Sequence, residues 1–447
     1  MINSVKKINA VKFPKSSTSG WICFAGLISF IIALDSICKN RVGNDLGAVL
    51  SGIAYLLPIV ILEWIVLKVY KKPSTGMNFI LKKKVNVERV LIKLVGLYTT
   101  LGLVALFYWL FPVYHTDYYN SYWVLTKYLL LIIVVGSIPY FFILDRYLVE
   151  PEESYWKVGM IITGNWSKIN YSGLKNFFLG WLVKAFFLPL MFVGLSGNIS
   201  YLSVYPFRLF IEQHNNRMIF DYAFTYMYTI DLVVVFVGYI MTLRIFDSHI
   251  RTVEPSFIGW FVALQCYQPF WGALSGQYFA YESGFYWWQW LANYPFIFIV
   301  WGSMILFLLT IYSWSSVFFG IRFSNLTNRG ILTNGPYRLM RHPAYISKNL
   351  SWWLVSIPFI SQAGFFPALQ HCLLLLLVNF IYYLRAKTEE RHLSQDPVYV
   401  QYATAINERG LFKFFSRYSF LRYNADKYIK KKMTGEKGLT DTGNELI

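Results

Sequence analysis

The chain has 447 residues, of which 56% are hydrophobic and 20% aromatic, whereas only 14% are charged. A soluble protein of ordinary composition carries about 25% charged residues, and a disordered chain has few large apolar side chains. The composition therefore excludes an ordinary soluble fold and a chain that is disordered over most of its length. Apolar runs that recur along the sequence predict an all-α, polytopic transmembrane helical bundle.

Ten segments are candidates for membrane spans, because a spanning helix needs about 20 mostly apolar residues. The seventh is the weakest candidate, since it contains Gln265, Gln268 and Pro269. Residues 361–365 alone separate the last two spans, which predicts a helical hairpin at the C-terminal end. The ten segments cover approximately residues 21–38, 46–68, 90–112, 123–144, 177–195, 222–243, 256–274, 295–319, 344–360 and 366–383.

The formal net charge of +18 is explained by basic loops on one side of a membrane. Alternating spans place most Lys and Arg residues on the same side as the N-terminus, while the opposite loops hold few, such as Lys39 and Arg41. By the positive-inside rule, both termini are expected to face the cytosol, in the inner membrane if the source is bacterial. No nucleic-acid partner is expected. The four cysteines lack metal-ligand spacing, so no metal site is expected either.

The loop between the eighth and ninth spans combines residue types that membrane topology does not require. Arg338 and Arg341 are three residues apart, so one helical turn would place both on one face. His342 follows directly, and Pro343 suits the first turn of the next helix. Two guanidiniums, an imidazole and a helix N-terminus predict a site for a carboxylate or another anion. The alternative is a basic loop that serves topology alone.

Two adjacent carboxylates, Glu389 and Glu390, follow the tenth span in a second charged cluster, residues 385–391. The start and end of a hairpin of two spans lie at the same face of the membrane. We therefore expect the two carboxylates to lie beside the arginine–histidine loop. The alternative is an acidic stretch that pairs with Arg385 and Lys387 at helical spacing.

These motifs resemble the signature of the superfamily of isoprenylcysteine carboxyl methyltransferases and phospholipid N-methyltransferases, which are integral membrane enzymes. The resemblance covers roughly residues 295–415, and Tyr399 and Tyr402 are similar to the family's tyrosine-bearing C-terminal segment. It implies S-adenosylmethionine as the methyl donor, bound at the cytosolic face. It also implies that Tyr337, Arg341, His342, Pro343 and Tyr345 shape the cofactor pocket, with Glu389 and then Glu390 nearest to the charged amino-acid end of the cofactor.

The residues also indicate how the acceptor would be handled. Arg341 and His342 are the candidates for binding the carboxylate of the cofactor. A carboxylate acceptor is already nucleophilic and needs only to be oriented, for which Arg338 or Arg385 is available, whereas an amine acceptor needs a base. Because arginines outnumber free bases here, a carboxylate on a lipid or lipid-anchored molecule is favoured over an amine. The alternatives are an NADPH-dependent enzyme similar to sterol reductases, and a transporter or scaffold with a degenerate methyltransferase module.

We predict three regions along the chain. Residues 1–220 form an N-terminal transmembrane bundle of unknown role, residues 221–425 form the methyltransferase-like module, and residues 426–447 form a basic disordered tail. Lys184 and Asp231 lie within the fifth and sixth spans, where they could form an ion pair or mark a ligand site or ion path. The oligomeric state is not indicated by the sequence.

Overall fold

A computed structural model describes residues 13–205, 211–212, 215–414, 418 and 421–425 of the chain. The tail predicted at 426–447 lies outside the described residues. Within them, eight helices are long and apolar enough to cross a membrane, and the only sheet consists of two strands of two residues each. This architecture indicates a multi-pass helical membrane protein.

The described residues form fourteen α-helices that we number in chain order. The candidate spans are α1 to α4, α6, α7, α11 and α13. The helices are α1 (Gly20–Lys39), α2 (Asn44–Ile65), α3 (Val87–Leu110), α4 (Asn120–Tyr147), α5 (Ser154–Ile162), α6 (Leu174–Val204), α7 (Asn216–Ile240), α8 (Phe257–Leu264), α9 (Phe270–Ser275), α10 (Trp287–Trp290), α11 (Pro295–Val317), α12 (Pro343–Ser356), α13 (Phe365–Leu393) and α14 (Pro397–Arg409).

The chain folds as two compact units. One, which we call the N-terminal unit, comprises the described residues among 21–255 and 319–329. The other, the C-terminal unit, comprises the described residues among 1–20, 256–318 and 330–447. This division differs from the boundary predicted at residue 220, because α7 packs along α6 and α2 and so belongs to the N-terminal bundle.

Two buried arginines stabilise the N-terminal unit where residues 319–329 rejoin it. Arg322 forms a bidentate ion pair with Glu63 of α2, with N–O distances of 2.6 and 3.0 Å. Arg329 donates hydrogen bonds to five backbone carbonyls, among them those of Gly238 and Met241 at the end of α7. Beside it, strand β1 (Thr252–Val253) pairs antiparallel with strand β2 (Thr327–Asn328). These bonds satisfy backbone groups that the irregular segment leaves without helical partners.

The predicted pairing of Lys184 with Asp231 is wrong. Lys184 Nζ lies 3.4 Å from Thr242 Oγ1 and over the ring of Trp181. Thr242 is just beyond the end of α7, whereas Asp231 is about 16 Å further back along that helix at 1.5 Å per residue. The lysine therefore reaches the end of α7 rather than its middle.

In the C-terminal unit, the predicted seventh span is not a continuous helix. It forms the two short helices α8 and α9, which the segment around Gln265 and Pro269 separates. Arg391, near the end of α13, donates to Ser256 just before α8, while Trp287 packs against Phe298 near the start of α11. Residues 256–287 therefore run from one end of the unit to the other as interrupted helices.

The predicted ninth span is also shorter than a spanning helix. Helix α12 has 14 residues and ends at Ser356, because Ile357 precedes Pro358 and adopts a left-handed conformation with φ of 40°. The tenth predicted span continues as helix to Leu393, over 29 residues. Consequently Arg385, Glu389 and Glu390 lie within the last turns of α13 and not in a loop after it.

Candidate functional site

The predicted loop is a tight turn that leads into α12. Residues Gly335–Arg338 form a 3₁₀ helix, and Pro343 occupies the first turn of α12, where its missing N–H costs nothing. Gly335 has a φ of +54°, and a Cβ atom there would lie 2.4 Å from a ring carbon of Phe318. Only glycine fits this position, which explains why a glycine begins this turn.

Helix α14 holds the loop in place. The buried Tyr402 hydroxyl donates to the carbonyl of Tyr337 at 2.7 Å, and the backbone N–H of Leu411 donates to the carbonyl of Leu339 at 2.8 Å. Burial raises the pKa of Tyr402, so this hydroxyl remains protonated and able to donate. Helix α14 and the residues that directly follow it therefore position the loop.

The two predicted clusters meet in the structure. Arg341 Nε lies 2.8 Å from Glu390 Oε1, and His342 Nε2 lies 3.2 Å from the same oxygen. The second oxygen, Oε2, accepts from Lys387 Nζ at 2.9 Å. Glu390 is only 1% exposed, so its charge is neutralised by these contacts and not by solvent. One buried carboxylate thus organises two cations and an imidazole.

The neighbouring carboxylate, Glu389, has a different partner. Tyr345 OH donates to Glu389 Oε2 at 2.8 Å, and the ring of Tyr345 stacks on the imidazole of His342 with an interplanar angle of 7°. Because Tyr345 lies one helical turn after His342, α12 places both rings on one face. The stack and the hydrogen bond connect the arginine–histidine loop to the end of α13 a second time.

A cavity of about 490 Å³ opens beside this cluster. Its polar wall contains Arg341, His342, Lys387, Glu390 and Asn407. The remaining wall is mostly apolar and is formed by residues such as Leu339, Ile346, Leu350, Ile406, Phe412 and Leu421. This volume and this combination of apolar walls with a few convergent polar groups are typical of a small-molecule site, for which about 300–1,000 Å³ is usual.

Amide side chains extend the polar wall along α12 and α13. Asn379 Nδ2 donates to Asn349 Oδ1 at 2.6 Å, and Trp353 Nε1 donates to Asn379 Oδ1 at 2.8 Å. Both asparagines line the cavity. The cavity therefore offers hydrogen-bonding groups within the apolar part of the hairpin, where such groups are costly unless they are paired.

Four of the nine predicted site residues line the cavity: Arg341, His342, Tyr345 and Glu390. The other five are not in the cavity wall, although each is within a few residues in the sequence of one that is. Arg338 is exposed, and Pro343 is buried at the start of α12. Tyr337 packs against the cluster of Tyr399, Tyr402 and Tyr423. Glu389 faces Tyr345, and Arg385 is enclosed among aromatic rings.

Arg385 occupies an aromatic cage beside the cavity. Its guanidinium carbon lies 5.0 Å from the ring centroid of Tyr345, 5.3 Å from that of Tyr267 and 5.9 Å from that of Tyr382. Nη2 also donates to Tyr267 OH at 3.3 Å. Cation–π contacts of this kind stabilise a desolvated guanidinium. In this arrangement Arg385 supports Tyr345 and Tyr382, both of which line the cavity.

Sequence reasoning missed several residues of the site. Asn407 on α14 accepts from Arg341 Nη1 at 2.6 Å, and Asn349 and Asn379 form the amide pair in the wall. Asparagines inside apolar segments are rare enough to have signalled a buried polar site. Lys387 was considered only as a helical partner of the glutamates, and its contact with Glu390 has that i, i+3 spacing.

No protein-family model matches this chain, and neither a curated protein nor a solved structure matches it.

Proposed function

We propose that this protein is an integral membrane methyltransferase that uses S-adenosylmethionine and acts on a lipid or lipid-anchored acceptor at the cytosolic face. The proposal rests on one observation above all. Arg341 and His342 contact Glu390, 48 residues further along the chain, at the polar end of a ligand-sized cavity. The resemblance of these motifs to the membrane methyltransferases supports the same conclusion.

The charges in the polar wall suit the amino-acid end of this cofactor. Arg341 and Lys387 carry two positive charges against the single negative charge of Glu390, so these three side chains leave one positive charge in the wall. A carboxylate brought to this wall would form charge-assisted hydrogen bonds, which are about twice as strong as neutral ones. Glu390 acts here by fixing the directions of the two cations.

The cofactor's ammonium group needs a carboxylate nearby. Glu389 is our candidate, because its Oε2 oxygen holds the hydroxyl of Tyr345 while the carboxylate forms no ion pair within the described residues. Tyr345 itself lines the cavity, and its hydrogen bond holds the carboxylate of Glu389 directly behind the cavity wall. The cofactor supplies the electrophilic methyl group, and the residues named here bind and orient it.

The apolar wall fits the acceptor. Ile346, Leu350 and Phe412 present apolar surface that an acyl or isoprenyl chain would bury, at about 25 cal/mol per Å² of contact. Methyl transfer is an in-line displacement, so holding both reactants in one pocket supplies most of what the reaction needs. A carboxylate acceptor remains favoured over an amine, since the cavity wall contains more cations than free bases.

The test is transfer of a labelled methyl group by the purified full-length protein in detergent, with membrane extract as the source of acceptors. We expect label in the lipid fraction or in lipid-modified protein, and we expect a base-labile ester if the acceptor is a carboxylate. His342→Ala should abolish the transfer, whereas Glu408→Gln, a change at an exposed residue of α14, should not affect it. Binding of NADPH without binding of S-adenosylmethionine would favour the reductase alternative.

A further inference from the structure

A second cavity, of about 350 Å³, lies within the N-terminal unit. It is bounded by α3, α4 and α6, and none of its lining residues belongs to the site proposed for methyl transfer. Most of the wall is aliphatic or aromatic, with Val104, Leu130, Trp109, Trp123 and Trp181 among its members. The wall therefore suits an apolar ligand, apart from one charged residue.

That residue is Lys184, on α6. Its ammonium group has three donors, yet its hydrogen bonding within the described residues is limited to a long contact of 3.4 Å with Thr242 Oγ1. The group also rests on the face of Trp181, 3.4 Å from the ring centroid, and it forms no ion pair within the described part of the chain. Charged side chains inside spanning helices normally pair with an opposite charge or mark a ligand site.

The neutral polar groups of the same wall already have partners. Tyr108 OH donates to the carbonyl of Ala185 at 2.9 Å and lies 3.0 Å from Tyr122 OH. His115 Nε2 lies 3.1 Å from the carbonyl of Tyr108, and Thr126 Oγ1 donates to the carbonyl of Tyr122 at 2.8 Å. These groups therefore need no ligand to complete their hydrogen bonding, whereas the ammonium of Lys184 has donors that a ligand could use.

The surroundings of Lys184 are positive. Arg329 acts on it electrostatically, and the guanidinium of Arg329 is bonded to five backbone carbonyls. Burial lowers the pKa of Arg329 to about 9, so it remains charged at neutral pH. An ammonium group without an ion pair in such a low-dielectric region attracts an anion strongly, because the attraction there is screened far less than in water.

We propose that this cavity binds a single-chain fatty acid, with its carboxylate on Lys184 and its chain between α3, α4 and α6. The volume is near the lower end of the usual range of about 300–1,000 Å³, which suits one chain rather than a two-chain lipid. The single ammonium in the wall suits a carboxylate, whereas a phosphate is typically held by several donors. The site lies in the N-terminal unit, so its existence is independent of the methyltransferase proposal.

The first test uses the wild-type protein in an uncharged detergent, with a photoreactive diazirine derivative of hexadecanoic acid as the probe. We expect cross-links to peptides of α3, α4 and α6. Unlabelled hexadecanoic acid should compete at least tenfold better than its methyl ester, which has the same chain without the charge. Equal competition by acid and ester would mean that the cavity accepts only an apolar chain, and it would overturn the proposal, as would the absence of cross-links to these helices.

The second test replaces the cation. Lys184→Met keeps the length of the side chain but removes its charge, and we expect at least tenfold weaker competition by the acid with little change for the ester. Lys127→Met is the matched control, because Lys127 lies on α4 next to Thr126 but is not in the wall. Unchanged binding of the acid by Lys184→Met would overturn the proposal. If that variant does not fold, the comparison of acid and ester on the wild type decides.

Discussion

Replacing Glu390 with glutamine tests the centre of the proposed site. The carboxylate is 1% exposed, and its two oxygens serve Arg341, His342 and Lys387 at 2.8, 3.2 and 2.9 Å. Glutamine has almost the same shape but offers one acceptor oxygen and one amide NH₂. Whichever way the amide turns, a donor then faces a cation, and at least one cation loses its partner.

The size of the effect follows from the burial of these groups. Removing one member of a buried ion pair costs about 3–5 kcal/mol. The side chains of Arg341 and Lys387 are 12% and 23% exposed, so water can partly replace the lost contact and the low end, about 3 kcal/mol, applies. We assign a binding loss of the same size, about 3 kcal/mol, to the loss of the fixed directions of the two cations. At about 1.4 kcal/mol per factor of ten, the affinity for the cofactor then falls on the order of 100-fold.

The assay is calorimetric titration of S-adenosylmethionine into purified protein in detergent. Glu390→Gln should bind about 100-fold more weakly than the wild type. Glu389→Gln should lower the affinity for the cofactor about tenfold. It weakens one hydrogen bond to a charged group, worth about 1.5–3 kcal/mol, but leaves Arg341 and Lys387 paired with Glu390. Glu408→Gln should match the wild type. Binding by Glu390→Gln within threefold of the wild type would refute the role of this carboxylate, and no binding by the wild type would refute the cofactor.

Three further predictions concern stability and topology. Glu63→Gln should lower the stability of the N-terminal unit by about 3–5 kcal/mol, because it leaves Arg322 buried without its bidentate partner. Thermal unfolding in detergent measures this change, and a fall in the melting temperature of less than 2 °C would contradict the prediction. Burial lowers the pKa of His249 to about 3, so the unfolded chain takes up a proton near pH 6.5 that the folded chain does not. The contribution of His249 to the pH dependence of stability should therefore be absent above pH 7 and should lower the stability from pH 6.5 toward pH 4. His249→Gln should reduce this slope, and an unchanged slope would exclude His249 as its source. In a background without native cysteines, Asn334→Cys should react with a membrane-impermeant thiol reagent from the cytosolic side, and labelling from the outside would show that the predicted orientation is wrong.

The class of fold could be predicted because hydropathy depends only on local sequence. Eight of the long apolar runs form helices that are long enough to span a membrane. The meeting of Arg341 with Glu390 was expected from a hairpin of two spans, and it occurs although α12, at 14 residues, is shorter than a span. The interruptions were harder to predict. The segment 344–360 was predicted to span the membrane, yet the left-handed Ile357 before Pro358 ends the helix at Ser356. Mean hydropathy does not register such a single-residue event.

Side-chain directions could not be predicted from the sequence. Lys184 and Asp231 were paired on their positions in adjacent spans, but the axial offset between α6 and α7 brings the end of α7 to the lysine instead. Arg385 was expected to orient a substrate, and its place among Tyr267, Tyr345 and Tyr382 depends on how α12, α13 and the segment between α8 and α9 pack together. Both outcomes depend on tertiary packing, which a single sequence does not encode in any local pattern.

The paired glutamates show why two adjacent acidic residues can have separate tasks. Successive residues of an α-helix are about 100° apart around its axis, so Glu389 and Glu390 cannot face the same partner. Glu390 turns toward the arginine–histidine loop and is surrounded by cations, while Glu389 turns toward Tyr345 on α12. Each carboxylate thereby joins a different part of residues 341–345 to the end of α13. Exchanging their partners would require a rotation of the whole helix, so the pair determines how α12 and α13 are aligned as well as the charge of the cavity wall.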